Sequence, residues 1–364
     1  MEIVAVVGAR PNMMKVAPLL EAFKQHPSLR ARLVHTGQHY DAAMSDIFFT
    51  EFGLPPPDAH LGVGSGTHTE QTARTMLAFE PVLRDLRPDL VLVVGDVNAT
   101  IACALVAAKR GVALAHVEAG LRSFDWTMPE EINRVLTDRL ADYCFTPSTD
   151  ADAQLLREGI PAARIFCVGN IMADSLLRFR AIALRHDAPQ RFGLTPGEYA
   201  VLTLHRPSNV DQQPTLAGLV AALLAIQHQL PIVFPVHPRT RERLQHFGLW
   251  DGLAAQPGMR LLEPLGYLDT IGLLAEARLA LTDSGGVQEE TTLLGVPCLT
   301  LRPNTERPVT VTVGTNRVIG NEPQRVVAEV GRILMGDRPD GDIPPLWDGH
   351  TAERIAAILA GSSL

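Results

Sequence analysis

Short apolar runs alternate along the chain with longer segments in which apolar residues recur at three- and four-residue spacing. The runs predict strands at Ile3–Val7, Ala31–Thr36, Leu90–Val94, Ala113–His116, Asp142–Thr146 and Ile165–Val168. A second series follows at Tyr199–Leu204, Ile232–Val236, Leu261–Glu263, Leu279–Thr282 and Pro297–Leu301. The segments between them predict helices, among them Asn98–Arg110, Asn133–Leu140 and Leu216–Gln229. Strands that are apolar at nearly every position need cover on both sheet faces, which βαβ units provide. The expected class is α/β, with two Rossmann-like doubly wound domains facing a cleft.

The polar stretch 185–197 (RHDAPQRFGLTPG) interrupts the pattern and reads as a loop between two α/β halves. A helix around Ile171–Leu184 carries the chain from one half to the other. The expected division is 1–170, 171–347 and a closing segment 348–364. That segment holds a final helix, Thr351–Ala360, which this pattern alone allows to pack on either half.

Composition narrows the partners. The chain has 364 residues, 46% of them hydrophobic, and a formal net charge of −8. That length suits two to three domains of about 150 residues each. An acidic balance excludes nucleic acid as the main partner, because phosphate backbones demand surplus Lys and Arg. No apolar run approaches the about 20 residues that cross a bilayer, so no membrane role is expected. The N-terminus enters the strand-like Glu2–Val7 without a basic leader, and a cytoplasmic location is expected. Cys103, Cys144, Cys167 and Cys298 form no CxxC pair and read as buried free thiols. There is no HExxH, and His116–Glu118 (HVE) lacks the PCxxC half of a zinc-deaminase signature. Neither a metal nor a cofactor is expected.

Placement of polar residues carries more information. In doubly wound sheets, ligands sit outside the carboxyl ends of the strands. Here Val7 leads to Gly8–Asn12, and Val94 to Gly95–Asn98. His116 closes its strand, with Glu118 two residues on. Leu204 gives way to His205 and Arg206, Val236 to His237, and Thr282 to Asp283–Gly286. One strand-end Asp serves a helix N-cap as readily as a catalyst, but six polar strand ends point to a shared site. At Thr282–Gly286 (TDSGG), Ser284 can cap the helix from Val287 onward, and Gly285 and Gly286 let its N–H groups approach an anion. An ordinary capped turn fits the same residues. Glu290 falls in the first turn of that helix, where the dipole favours it, and equally suits a ribose diol. Arg10 and Lys15 bracket the start of the first helix and can supply charge to a diphosphate. Pro129–Glu131 can simply begin a helix. With Asp96, however, Glu118 and Glu130 bring three carboxylates toward one cleft, where crowding makes a base and an acid from one residue type. Gly62–Gly66 (GVGSG) does not follow the first strand and lacks a third glycine, so it reads as a loop rather than a dinucleotide turn.

Several segments in order resemble the non-hydrolysing UDP-N-acetylglucosamine 2-epimerases over nearly the whole chain. They are Gly8–Lys15 (GARPNMMK), Thr36–His39 (TGQH), Gly95–Asp96, His116–Arg122 (HVEAGLR) and Pro129–Arg134 (PEEINR). His205–Arg206, Pro235–His237 (PVH), Asp283–Glu290 (DSGGVQEE) and Thr305–Pro308 (TERP) complete the set. The resemblance implies a GT-B-like pair of Rossmann domains, a last helix returning to the N-terminal half, and a homodimer. It implies inversion at C2 of UDP-N-acetylglucosamine, with UDP leaving to give a 2-acetamidoglucal and then adding back. Asp96, Glu118, Glu130 and His205 match the family's catalytic positions. Ser284, Gly285 and Gly286 match its phosphate turn, and Glu290 its ribose-binding acid. Arg10, Lys15, Arg206 and His237 are the remaining candidates for the nucleotide sugar. Ala9, Asn12 and the Gln38–Asp41 segment depart from the common pattern. They leave room for a related N-acetylated UDP-sugar.

Overall fold

The computed structural model describes residues 1–8, 10–37 and 52–362, and for Arg10 and Pro11 the backbone alone. Ala9 and Gln38–Asp41 lie outside the described residues. The chain forms two compact units, Met1–Ser175 with Pro345–Leu364, and Leu176–Pro344.

The first unit holds a seven-stranded sheet. Its strands are β1 (Glu2–Val7), β2 (Arg30–His35), β3 (Ala59–His60), β4 (Leu90–Val94), β5 (Ala113–Val117), β6 (Tyr143–Thr146) and β7 (Ile165–Cys167). They run in the order β3-β2-β1-β4-β5-β6-β7 with every pair parallel. Helices α1 (Arg10–Lys24), α2 (His68–Leu86), α3 (Asn98–Lys109), α4 (Pro129–Leu140) and α5 (Thr149–Arg157) connect and cover the strands, and α6 (Ile171–Arg185) carries the chain into the second unit. All five residues of β4 are buried, as a strand covered on both faces requires. Each such Val or Leu contributes about 1.5–3 kcal/mol through burial. A capping box starts α2: Glu70 N–H donates to Thr67 Oγ1 at 3.2 Å, and Thr67 N–H to Glu70 Oε2 at 2.9 Å. The glycine-rich segment before it is tied down by Val63 and Gly64 N–H bonds to Thr36 and Gly37.

The second unit repeats the plan with β8 (Ala200–Thr203), β9 (Ile232–Pro235), β10 (Met259–Leu262), β11 (Leu279–Thr282), β12 (Cys298–Thr300) and β13 (Asn316–Val318). Their order is β10-β9-β8-β11-β12-β13, again all parallel. Helices α7 (Gln213–Ile226), α8 (Pro238–His246), α9 (Tyr267–Ala275), α10 (Gly285–Leu294) and α11 (Pro323–Leu334) belong here. Counted within each unit, both sheets follow the doubly wound order 3-2-1-4-5-6, with β7 added as a seventh strand in the first, so the topological switch points fall between β1 and β4 and between β8 and β11. Strands β3 and β13 go beyond the predicted set, being short and carrying polar residues.

The chain returns to the first unit through a tightly fitted strap. Trp347 is buried and its indole N–H donates to the Pro147 carbonyl at 2.9 Å. Gly169 (φ +93°) lies so close to the Leu346 carbonyl that a Cβ would collide with it. Helix α12 (Thr351–Gly361) then packs on α1. The Asp174 carboxylate accepts the N–H of Ala352 at 2.8 Å and of Thr351 at 3.2 Å, supplying the α12 N-terminus with an anion. Among the described residues no helix is long and apolar enough to cross a membrane.

Candidate active site

At the first switch point, β1 leads into α1 and β4 into Gly95–Asp96. Asn12 ties the two together: its Nδ2 donates to the Val94 carbonyl at 2.9 Å, and its Oδ1 accepts from Gly8 N–H at 3.3 Å. One turn along α1, the buried Lys15 ammonium is ion-paired with the Glu118 carboxylate. Glu118 directly follows β5 with φ +72°, a left-handed conformation that costs a non-glycine residue about 1–3 kcal/mol. Gly95 (φ +66°) sits beneath this pair, and a Cβ there would lie 3.2 Å from Glu118 Oε2 and 3.6 Å from Lys15 Nζ. Any side chain at position 95 would intrude on the ion pair.

Asp96 is half-buried, and its Oδ2 is ion-paired with the buried Arg134 guanidinium. Its backbone carbonyl accepts from Asn133 Nδ2 at 2.9 Å. Arg134 also donates to Glu131 Oε2 at 2.6 Å. Glu131 is buried and accepts from Ser123 N–H at 2.9 Å and Phe124 N–H at 2.8 Å, so it pins the loop ahead of α4. Glu130, its neighbour in the first turn of α4, is partly exposed. Glu118 faces Lys15, and Asp96 faces Arg134. Asp96 is also no helix cap, since the α3 N-cap is Val97.

At the second switch point, β8 leads to His205 and Arg206, and β11 to Asp283. Asp283 has no solvent exposure. Its carboxylate lies 2.8 Å from His205 Nδ1 and accepts from Arg206 N–H at 2.9 Å, His205 N–H at 3.0 Å and Asn209 Nδ2 at 3.1 Å. Burial works to raise the Asp283 carboxyl, but the His205 ring and these backbone donors hold it below the ordinary carboxylate value. The His205 and His237 rings lie 5.8 Å apart. His237 also caps α8, its Nδ1 accepting from Arg239 N–H at 3.2 Å.

Helix α10 begins at Gly285 rather than Val287, which corrects two expectations. Glu290 falls in the second turn, beyond the reach of the dipole argument. Ser284 occupies the N-cap position, yet its hydroxyl makes no capping bond. Beside this helix start lies a buried arginine–glutamate cluster. Arg302 Nη1 lies 2.8 Å from Glu306 Oε2, and Arg307 Nη1 2.8 Å from Glu306 Oε1. Arg307 Nε lies 2.7 Å from Glu289 Oε1, and Arg206 Nη2 3.7 Å from Glu306 Oε1. Three guanidinium groups and two carboxylates thus gather next to a helix N-terminus, whose free N–H groups favour an anion. A Cβ on Gly285 would collide with Arg307 and Glu306.

Among the residues foreseen, Lys15 and Glu118 meet at the first switch point beside Gly95–Asp96. His205, Arg206, Ser284, Gly285 and Gly286 gather at the second, with Glu290 buried further along α10. The Arg10 side chain lies outside what is described. Asp283 was read only as one of the polar strand ends, without a role of its own, and Arg134, Arg302 and Arg307 were not read as site residues. The signal for Arg134 was available, because on α4 it stands four residues after Glu130 and so on the same helix face.

Two parallel sheets that share the doubly wound order 3-2-1-4-5-6, with polar residues at both switch points, define a GT-B-like α/β protein. The UDP-N-acetylglucosamine 2-epimerase family model matches residues 21–360, and the chain belongs to that family of isomerases. UDP-N-acetylglucosamine 2-epimerase of Methanocaldococcus jannaschii is 43% identical over 364 residues, covering 99% of each chain. UDP-2,3-diacetamido-2,3-dideoxy-D-glucuronate 2-epimerase of Pseudomonas aeruginosa is 41% identical over 363 residues, also covering 99% of each. The solved structure of the M. jannaschii enzyme in complex with UDP-GlcNAc and UDP is similar with a TM-score of 0.93 at 43% identity, covering 100% of both chains.

Proposed function

We propose that the chain interconverts UDP-N-acetylglucosamine and UDP-N-acetylmannosamine without releasing free sugar. A carboxylate removes the C2 proton, the C2–H electrons become the C1=C2 double bond, and the C1–O bond breaks to expel UDP. The 2-acetamidoglucal then takes UDP back at C1 and a proton at C2 on the opposite face. Because C2–H is a weak acid, the charge developing on the leaving diphosphate must be stabilised strongly. The observation that carries this reading is the chemistry at the two switch points. The first holds Glu118 paired with Lys15 and Asp96 paired with Arg134. The second holds a glycine-rich helix start beside three arginines.

Asp96, Glu118 and Glu130 are assigned to proton transfer. His205 is assigned to the departing diphosphate; Asp283 occupies Nδ1 and leaves Nε2 as the nitrogen for that task. Arg10, Lys15, Arg206, His237, Ser284, Gly285 and Gly286 are assigned to binding the nucleotide sugar, and Glu290 to the ribose diol. The resemblance adds a homodimer, which sedimentation velocity tests as twice the 39.5 kDa chain mass. Turnover of UDP-N-acetylglucosamine in deuterated water tests the reaction. Deuterium at C2 of a still UDP-linked sugar supports it, and free N-acetylmannosamine points instead to a hydrolysing enzyme.

A second reading rests on the 41% identity to the P. aeruginosa enzyme, whose named substrate carries a second acetamido group and a carboxylate. Running the same exchange with both UDP-sugars separates the two.

A further inference from the structure

His116 belongs to β5, and its ring is fully buried. Nδ1 lies 2.6 Å from Asp138 Oδ1, and Nε2 lies 2.8 Å from the Gly95 carbonyl oxygen. A neutral imidazole carries one N–H and one lone pair. With one proton it would satisfy one of these oxygens and set its lone pair against the other. A backbone carbonyl only accepts. A proton on Asp138 Oδ1 would also satisfy the ring, but the second oxygen accepts from Gly120 N–H at 3.0 Å and faces the Arg122 guanidinium at 2.7 Å, and that charged donor favours the carboxylate, leaving the proton on the imidazole. Burial works to raise the Asp138 carboxyl, yet His116 and Arg122 hold it below the ordinary value. Every acceptor is satisfied when both ring nitrogens are protonated.

The charges around the ring balance in that state. Asp138 faces it from α4, and Arg122 follows from the loop after β5, bonded in turn to Glu158 beyond α5 at 2.7 Å. The Cys144 thiol on β6 lies 3.8 Å from the Asp138 carbonyl. On the far side of Gly95 stand Glu118 and Lys15, already paired. Two cations and two anions close the cluster of His116, Arg122, Asp138 and Glu158.

Both backbone units flanking Asp96 are held from outside its own turn. Gly95 N–H donates to the Val117 carbonyl at 3.0 Å, and the Gly95 carbonyl, joined to the Asp96 nitrogen, is gripped by His116. The Asp96 carbonyl is gripped by Asn133, and its carboxylate by Arg134. We propose that His116 is a positioning residue, a buried imidazolium that fixes the Gly95–Asp96 peptide and thereby aims the Asp96 carboxylate at the sugar. This rests on the reading of Asp96 as a proton-transfer group.

Two measurements test it. In histidine-labelled protein at pH 7.5, nitrogen NMR should show one ring, absent from His116→Gln, with both nitrogens protonated; a singly protonated His116 overturns the proposal whatever Asp96 does. In His116→Gln and the milder Asp138→Asn, kcat should fall roughly 100-fold, the scale of misplacing a reacting group by about 1 Å. UDP affinity by calorimetry should stay within about twofold. Normal kcat in a folded His116→Gln, with Asp96→Asn inactive, overturns the positioning role alone. Normal kcat in Asp96→Asn removes the reading beneath it. Should His116→Gln fail to fold, Asp138→Asn carries the kinetic arm.

Discussion

The imidazole Nδ1 of His205 lies 2.8 Å from the carboxylate of Asp283, a residue with no solvent exposure. That carboxylate accepts from the ring and from three further N–H donors, two of them in the backbone of the β8 turn. Asp283 therefore organises the turn as well as the ring. An asparagine at this position would present a donor where only donors point, leaving a buried N–H unpaired at about 1–3 kcal/mol. Asp283→Asn should lower the unfolding free energy by about that much and kcat by at least about 100-fold. Denaturant unfolding and steady-state turnover check it. Unchanged values of both would detach Asp283 from the site.

Acid stability follows from the same residue and from Asp138. Both carboxyls are held below their ordinary value of 3.8 in the folded chain. Below 3.8 the unfolded state binds more protons, so stability there rises with pH. The contribution is complete above about pH 5 and is lost as pH falls through 3.8 toward the folded values. Urea midpoints should therefore be level for these groups from pH 7 to about 5 and fall below 4. Asp283→Asn should flatten that fall, and an equally steep one in the variant would refute the assignment.

The architecture was legible because both sheets obey one rule: strands buried on two faces are almost wholly apolar, as β1 and β4 show. Strand β13, read as Asn316-Arg317-Val318, carries no such signature. The strand-end residues were legible for a related reason, since Asp96, Glu118 and His205 each break an apolar run where ligands bind. Their partners were not. Arg134 reaches Asp96, and Asp283 reaches His205, through folding that joins distant parts of the chain. The role of Glu131 was hidden for another reason: in sequence it is indistinguishable from Glu130, and only burial against Ser123 and Phe124 separates the two.

The Lys15–Glu118 pair is buried on both sides, with side-chain exposures of 9% and 3%. Removing one partner leaves a buried charge uncompensated, at about 3–5 kcal/mol. Lys15→Met and Glu118→Gln should each destabilise the chain on that scale. The double variant Lys15→Met/Glu118→Gln should recover much of the stability and none of the activity. A thermodynamic cycle from denaturant melts, with turnover measured on the same samples, separates the two effects. Additive destabilisation would show that the ions do not act as a pair.

Substitution of Ser284 separates binding from folding. It stands at the start of α10, but its hydroxyl makes no capping bond, so helix stability does not depend on it. Ser284→Ala should leave the unfolding free energy within about 0.5 kcal/mol, as for substitutions away from structural features. If the hydroxyl instead meets the diphosphate, the lost hydrogen bond to a charged group is worth about 1.5–3 kcal/mol. UDP affinity should then fall by about 10-fold or more, with KM rising in step and kcat little changed. Titration calorimetry with UDP and initial-rate kinetics give both numbers. A stable variant that binds UDP as tightly as the parent would place the diphosphate elsewhere, and the helix start with its arginine cluster would have to be explained without it.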